Sequence, residues 1–263
     1  MTALDVNRTN DLIESARLWR LWTFTGWQDI RQRYRGSVIG PFWIAGSVAV
    51  VTLGAGSLYA AMLKMPEQTL LPYISLSISL WLLISLTILE SSQAFFASSQ
   101  IIRNTSLPIG IHVFRVIFRN LVVFAHNVPV VILTFLIFGY APSPYAFLAI
   151  AGFALLLVNI LWMAWVSALL ATRFRDMGQI IAFGLQFAIF VTPIFWRPEQ
   201  AGPRKLALIL NPFHHLLAVI RGPIMGVLPT PENWAVSIVM AVGGLVVAVL
   251  VHSRLRHDVV FWL

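Results

Sequence analysis

Long stretches of this chain contain only apolar and uncharged polar residues. No Asp, Glu, Lys or Arg occurs in residues 36 to 63, 68 to 89, 120 to 172, 177 to 196 and 233 to 253. A bilayer core of about 30 Å is crossed by roughly 20 apolar residues in helical form. Because the stretches show no sustained alternation of polar and apolar positions, the pattern predicts transmembrane helices and argues against a membrane barrel.

The longest stretch is interrupted by a turn-forming cluster at residues 139 to 144, Gly-Tyr-Ala-Pro-Ser-Pro, which predicts a helical hairpin. We therefore predict an all-α integral membrane protein that forms one domain over residues 1–263. Its six transmembrane helices are predicted at residues 38–63, 70–94, 118–138, 145–171, 177–195 and 234–252.

A different pattern precedes the first span. Between residues 11 and 35, apolar side chains recur near helical spacing and are interrupted by charged ones. This pattern predicts an N-terminal amphipathic helix in the membrane interface, with its tryptophans at the depth of the lipid headgroups. Two roles stay open for this helix, a membrane anchor and a contact with a partner.

Composition and charge agree with membrane insertion. The chain is 59% hydrophobic and 11% charged, with a mean hydropathy of +0.82, which lies outside the range of soluble domains. Arg31, Arg33 and Arg35 directly precede the first span, as is typical of a cytoplasmic flank. With these arginines inside, 13 of the 18 Lys and Arg residues are cytoplasmic and 5 are external. We therefore predict that both termini are cytoplasmic, and that the net charge of +8 reflects topology rather than nucleic-acid binding.

The candidate functional residues among the charged and polar side chains of the predicted spans are Glu90, His126, Asn127, Asn159 and Gln186. They form no acidic pair at mid-membrane, which argues against an ion-coupled carrier. Hydrogen bonding between helices is the interpretation that we favour for Glu90.

The sequence contains no enzymatic motif. Lys64 and Lys205 are the only lysines, and neither follows a glycine, so a phosphate-binding loop is absent. The adjacent His214 and His215 project to two sides of a helix, and the chain has no cysteine. We therefore predict no catalytic residues and no metal site.

Half of the 14 prolines lie between residues 193 and 231. Two short apolar stretches separate them, residues 206 to 210 and 213 to 220, and each is too short to cross a bilayer. The pattern predicts a re-entrant helical hairpin on the outer side of the membrane between spans 5 and 6. Irregular backbone at membrane depth is tolerated where it lines a cavity, so residues 197–232 are interpreted as a gate segment.

Three separated motifs together resemble one family. They are residues 33 to 41, Arg-Tyr-Arg-Gly-Ser-Val-Ile-Gly-Pro, with Trp43; residues 173 to 176, Arg-Phe-Arg-Asp; and Asn211-Pro212 followed by Arg221. Their order resembles the membrane subunit of type-2 ABC exporters for polysaccharides. The O-antigen, or lipopolysaccharide, permeases are the most similar branch, and permeases for teichoic acid and capsule are related to them.

The resemblance implies a homodimeric permease in the bacterial inner membrane, paired with two copies of a separate ABC ATPase subunit. ATP and Mg would bind to that ATPase, and this chain would hold no cofactor. The cargo would be a glycan linked to undecaprenyl diphosphate. Residues that match the family's ATPase-contacting loops are Arg103, Asn104, Leu107, Pro108, Arg173, Arg175 and Asp176. Those that match its periplasmic gate are Asn211, Pro212 and Arg221.

Two further roles are hypotheses about the cargo. Arg31, Arg33 and Arg35 either set the topology alone or also contact the lipid diphosphate, because the guanidinium fork binds phosphate oxygens in pairs. Aromatic rings stack on the apolar faces of sugars, and the candidates for a sugar path are Trp43, Tyr59, Tyr73 and Trp81. The alternatives that we retain are a type-2 exporter of teichoic acid, capsule, drugs or small lipids and, outside this fold, an ion-coupled carrier or a membrane transferase.

Overall fold

The computed structural model describes residues 10–40, 42–256 and 258–263, and every regular element within these ranges is helical. The helices are α1 (Asn10–Arg17), α2 (Trp19–Arg33), α3 (Phe42–Leu63), α4 (Glu67–Ser91), α5 (Ala94–Ala97), α6 (Ser99–Asn104), α7 (Gly110–Ile137), α8 (Leu148–Arg173), α9 (Met177–Val191), α10 (Lys205–Ile209), α11 (Pro212–Ile224), α12 (Pro231–Leu255) and α13 (Val259–Trp262). Short 3₁₀ helices cover Pro144–Phe147 and Pro198–Arg204.

Five of these helices are long and apolar enough to cross a membrane: α3, α4, α7, α8 and α12. The predicted fifth span corresponds to α9, which has 15 residues. At about 1.5 Å per residue it is roughly 22 Å long, less than the hydrocarbon core of about 30 Å. The protein is therefore all-helical with five candidate spans in its described part, and the sixth span stays a prediction.

The start of α7 differs from the prediction, because this helix begins at Gly110 instead of residue 118. Arg115 and Arg119 lie within its first turns. The prediction takes charged residues as the ends of spans, and it therefore places the start of this span close to them. Carboxylates from α2 and α4 pair with both guanidinium groups. Because they are paired, the charges of Arg115 and Arg119 can lie within α7 where it packs against α2 and α4.

The predicted N-terminal helix is divided in two at Leu18, whose φ of −80° and ψ of 36° are not helical. The second part, α2, packs closely on α7. A Cβ atom at Gly26 would lie 2.8 Å from Phe118 Cδ1 and 3.1 Å from the Arg115 carbonyl oxygen. Glycine is therefore what allows α2 to approach α7 at this crossing.

Helix α4 lies at the centre of the bundle, with α3, α7, α8, α9 and α11 packed against it. Every residue from Leu70 to Trp81 is buried. Ser75, Ser77 and Ser79 are among them, and two of these hydroxyls donate to the carbonyl four residues earlier. Small side chains of this kind let neighbouring helices approach closely.

Helix α8 holds α11 and α12 in place. A Cβ atom at Gly152 would lie 2.4 Å from the carbonyl oxygen of Val219 in α11. On the side of α12, Asn159 Nδ2 donates to the Ser237 carbonyl oxygen over 3.1 Å. The predicted gate segment therefore contains one helix, α11, that packs inside the bundle against α8, α4 and α12.

Candidate functional site

Charged side chains from three helices meet at the end of the bundle that carries α1 and α13. Asp29 of α2 accepts hydrogen bonds from Arg115 and, over 2.9 Å, from Arg119 Nη1. Glu90 of α4 accepts from Arg119 Nη2 over 2.7 Å and from Arg33 Nη2 over 2.9 Å. We call these residues, with Asn120, the ion-pair network; it ties α2, α4 and α7 to one another.

The local sequence explains why these groups meet. Asp29 and Arg33 are four residues apart on α2, and Arg115 and Arg119 are four apart on α7, so each pair shares a helix face. Glu90 lies near the end of α4 and also accepts from Asn120 Nδ2 over 2.8 Å. The helix-to-helix hydrogen bonding expected for Glu90 is therefore confirmed.

A cavity of about 390 Å³ lies beside the ion-pair network and is lined by Asp29, Arg33, Glu90, Arg115 and Arg119, among other residues. Three guanidinium groups face two carboxylates, so the network carries one net positive charge. Each guanidinium group nevertheless contacts at least one carboxylate oxygen.

The structure separates the three arginines before the first span. Arg33 pairs with Glu90, whereas Arg31 and Arg35 are exposed and form no ion pair with a described residue. Arg31 lies in the last turn of α2, and Arg35 lies in the turn that follows it. Contact with a lipid diphosphate stays a prediction for all three.

The residues predicted to contact an ATPase come together at the same end. Arg103 and Asn104 end α6, Leu107 and Pro108 lie in the loop before α7, and Arg173, Arg175 and Asp176 lie between α8 and α9. Helix α13 packs against both α6 and α8. The Arg173 guanidinium carbon lies 4.7 Å from the centre of the Trp262 ring. Within this group Leu107 is an exposed apolar side chain, 40% accessible.

At the opposite end, Asn211 and Pro212 start α11. The Asn211 side chain accepts from the Phe213 and His214 backbone N–H groups, as a helix cap does. Its Nδ2 donates to Thr192 Oγ1 over 3.0 Å. The predicted gate residue Asn211 therefore connects the start of α11 to the segment that follows α9.

The third predicted gate residue, Arg221, is only 4% exposed. Its Nη1 donates to Ser77 Oγ over 2.9 Å and to the Pro193 carbonyl oxygen over 2.6 Å. Its guanidinium carbon lies 4.1 Å from the centre of the Tyr73 ring, in cation–π contact. Arg221 thus joins α11 to α4 and to the segment after α9.

Arg221 lines a pocket of about 240 Å³, which we call the arginine pocket. Tyr73, Arg197, Glu199 and His214 line it as well, together with residues 225 and 227 to 230. Burial, followed by the neighbouring Arg221 and His215, lowers the pKa of His214 from 6.5 to about 4. The imidazole is therefore neutral at neutral pH, and the arginines supply the positive charge of the pocket.

The four candidate sugar-path aromatics have different surroundings. Trp43 is exposed, and Tyr59 stacks on Phe195 with ring centres 5.3 Å apart. Trp81 and Tyr73 are buried; the Trp81 ring meets Phe213 edge-on at 5.2 Å. The Tyr73 hydroxyl lies 2.9 Å from the Pro193 carbonyl oxygen, within hydrogen-bond distance.

An apolar cavity of about 500 Å³ lies between α4, α7, α8 and α11. Its lining includes Leu80, Phe124, Phe135, Phe153 and Ile224, and it is almost free of polar atoms. Such a lining matches hydrocarbon chains and offers no hydrogen-bonding groups to a sugar.

Sequence reasoning missed four members of the ion-pair network: Asp29, Arg115, Arg119 and Asn120. The spacing of four residues within each helical pair is a visible signal, but no pattern in the sequence indicates which helices face each other. It also missed Arg197 and Glu199, which lie in the gate segment without a distinguishing motif.

The sequence profile of the ABC-2 type transporter family matches residues 20–225. The chain is 23% identical over 189 residues to an O-antigen export system permease protein RfbA of Klebsiella pneumoniae, covering 70% of this chain and 71% of the relative. A second Klebsiella pneumoniae protein of the same name is 19% identical over 188 residues, with the same coverage. The RfbA protein of Myxococcus xanthus is 20% identical over 193 residues, covering 72% and 74%. The family match spans most of the chain, including the ion-pair network and Arg221, and this protein belongs to the ABC-2 type transporter family.

Proposed function

We propose that this chain is the permease subunit of an ATP-driven exporter, and that its cargo is an O-antigen-type polysaccharide linked to undecaprenyl diphosphate. The observation that carries the proposal is the similarity to O-antigen export permeases over about 70% of the chain, within the ABC-2 family. The chain provides the path across the bacterial inner membrane, and two copies of a separate ATPase, which binds ATP and Mg, drive the transport.

The proposed topology has six spans with both termini in the cytoplasm. Helix α9 together with residues 192 to 195 crosses as the fifth span, and residues 197–232 re-enter the membrane from the periplasm. The excess of Lys and Arg at the end with α1 and α13 supports this orientation. Single cysteines at Ser143 and Gly202 should label from the periplasm, and single cysteines at Thr105 and Arg175 only from the cytoplasm. Labelling of Thr105 from outside contradicts this topology.

We infer that the cytoplasmic end of the helix bundle transmits the conformational change of the ATPase to the rest of the permease. Residues 103 to 107 are exposed there and Pro108 is half-buried, and α13 packs on α6 and α8. The ion-pair network holds α2, α4 and α7 together, so displacement of one helix moves the others with it. A shift of packed helices of this kind is a common route from an effector site to a distant opening.

The proposed assembly is a homodimer. Helix α9 presents an apolar face that its own subunit leaves uncovered, made of Ile180, Phe183, Phe187 and Phe190. A second copy of the chain would cover this face and place the cargo path along the subunit interface. Arg31, Arg33 and Arg35 supply the proposed contacts to the lipid diphosphate at the cytoplasmic end. Arg31 and Arg35 pair with no described carboxylate, whereas Arg33 also pairs with Glu90.

The proposed function is tested by reconstituting the permease with the ATPase encoded beside it. Transport of a lipid-linked glycan into vesicles, together with glycan-dependent ATP hydrolysis, is the expected result. Changing Leu107 and Pro108 to glycine should abolish transport while ATP hydrolysis continues, because a flexible loop transmits no displacement. The matched control changes Ala141 and Pro142, in the turn at the other end, to glycine. Normal transport by the Leu107-Pro108 variant removes the coupling role from this loop.

The apolar cavity favours a second candidate, export of a small lipid. Its nearly pure hydrocarbon lining suits an acyl chain better than a sugar. In the same vesicles, stimulation of ATP hydrolysis by phospholipid alone, with none by the lipid-linked glycan, would select this candidate over the first.

A further inference from the structure

The two sites at opposite ends of the bundle differ in whether their arginines form ion pairs. In the ion-pair network, Arg33, Arg115 and Arg119 each contact a carboxylate. In the arginine pocket, neither Arg197 nor Arg221 forms an ion pair with any carboxylate of the described residues. Glu199, which lines the same pocket, is exposed. Two cations therefore share one pocket without direct neutralisation.

Arg221 is the more informative of the two, because it is 4% exposed. Both of its hydrogen bonds are made by Nη1 and end on neutral oxygens, those of Ser77 and Pro193. Its Nε and Nη2 donate to no described residue. A buried charge is costly unless it is paired, so a guanidinium group with unused donors at a pocket wall indicates a missing anionic partner.

Two more polar atoms at the pocket lack partners. Arg197 donates from Nη2 to the Thr69 carbonyl oxygen over 3.2 Å, but its Nε is buried without a partner. His214 Nδ1 is likewise buried without a partner among the described residues. Buried polar atoms are normally satisfied, and unsatisfied ones around a common cavity point to a ligand.

The ring of Tyr73 brings the two arginines together. The guanidinium carbons of Arg221 and Arg197 lie 4.1 Å and 5.5 Å from the centre of that ring. Cation–π contact holds both planar groups beside the pocket without using their hydrogen atoms. The donors stay available to an oxyanion, for which a planar guanidinium fork is well suited.

We propose that the arginine pocket binds a phosphate-type oxyanion between Arg197 and Arg221. The pocket volume of about 240 Å³ accommodates a phosphate or diphosphate group. Its assignment to the diphosphate of the exported molecule rests on the proposed function, whereas the binding itself does not. In that role the pocket would hold the lipid-linked end of the cargo on the outer side after it has crossed.

The test uses the purified full-length permease without the ATPase or a glycan, in phosphate-free buffer. Inorganic pyrophosphate is titrated while calorimetry measures binding and thermal unfolding is followed in parallel. Saturable binding that raises the unfolding temperature is expected. Arg197→Gln, at the partly exposed side of the pocket, should weaken binding by about tenfold or more, because it removes a charged donor. Glu199→Gln should strengthen binding, because it removes a competing negative charge.

Lys64→Gln is the matched control, since Lys64 is an exposed cation in the α3–α4 connection at the same end and does not line the pocket. It should bind pyrophosphate as the unchanged protein does. Arg221→Lys keeps the positive charge but loses the planar pair of guanidinium donors, so this variant should also bind pyrophosphate more weakly. Absence of saturable binding, or equal binding by Arg197→Gln, Glu199→Gln and Lys64→Gln, overturns the proposal.

Competition experiments then identify the source of the oxyanion. Displacement of pyrophosphate by farnesyl diphosphate, but not by phosphatidylglycerol vesicles, supports the lipid-linked cargo. Displacement by phosphatidylglycerol vesicles, with phosphatidylcholine vesicles as the control, assigns the pocket to a lipid headgroup and overturns the cargo assignment. Binding of pyrophosphate in a protein that fails to export glycan would contradict the proposed function and leave the pocket standing.

Discussion

Replacing Asp29 by alanine should destabilise the protein, because two guanidinium groups lose their shared carboxylate. Asp29 accepts from Arg115 Nε over 2.6 Å and from Arg119 Nη1 over 2.9 Å. Removing one partner of a fully buried ion pair costs about 3 to 5 kcal/mol. The Arg115 side chain is 26% exposed and that of Asp29 is 11% exposed. Water therefore compensates part of the loss, and we expect a decrease of about 2 to 3 kcal/mol in the free energy of unfolding.

A double-mutant cycle isolates the contribution of the pair. The Arg115→Ala variant loses the Arg115–Asp29 contacts, which Asp29→Ala also removes, so the two substitutions together should cost less than the sum of the single ones. Residues in one ion-pair network commonly show coupling of about 0.5 to 3 kcal/mol, and the hydrogen-bonded geometry here favours about 1 to 2 kcal/mol. Glu14→Ala is the control, because Glu14 is an exposed acid on the neighbouring helix α1 and forms no ion pair with a described residue.

Equilibrium unfolding of the purified protein in mixed micelles is monitored by the circular dichroism of its helices. It provides the free energies of unfolding of the unchanged protein, the two single variants and the double variant. The control should remain within about 0.5 kcal/mol of the unchanged protein, as surface substitutions usually do. The reasoning is refuted if Asp29→Ala is no more destabilising than Glu14→Ala, or if the effects of the two network substitutions simply add. Either result would mean that α2 is held on α7 by apolar packing alone.

Three further outcomes follow from other parts of the molecule. Gly152→Ala should cost about 1 to 3 kcal/mol, because the new methyl group would lie 2.4 Å from the Val219 carbonyl oxygen, whereas Gly46→Ala, with no atom within 4 Å, should be neutral or stabilising in the same unfolding assay. His214 should lower the free energy of unfolding as the pH decreases from 6.5 towards about 4, because the unfolded chain protonates His214 before the folded protein does, whereas Asp11, whose pKa burial raises to about 6, acts in the opposite direction; the unchanged protein should therefore lose more stability over this range than His214→Gln, and equal losses would contradict the role of His214. A single cysteine at Phe187, which is 70% exposed on α9, should form disulfide-linked dimers in membranes, whereas one at Val239 on α12 should not; equal crosslinking at both positions would argue against α9 as the subunit interface.

The sequence alone determined the fold class and the approximate positions of five spans. A charge in hydrocarbon is costly whatever the helix packs against, so uncharged stretches of about 20 residues mark spans from local composition alone. The same reasoning failed where packing changed that cost. It began the third span at residue 118, although α7 begins at Gly110 and carboxylates of α2 and α4 pair with Arg115 and Arg119 inside the helix.

Only the tertiary structure decided which helix is central and which charges are paired. Both α4 and α12 are predicted from the sequence as continuous apolar helices. In the most apolar part of each helix, however, 83% of the α4 residues are buried and only 22% of the α12 residues. The pairs Arg33–Glu90 and Arg115–Asp29 join residues 57 and 86 positions apart. Arg221 resembles other arginines in the sequence, and its unpaired donors become visible only once α11 lies against α4. Pairing and burial depend on which helix faces meet, and a local pattern carries no information about that choice.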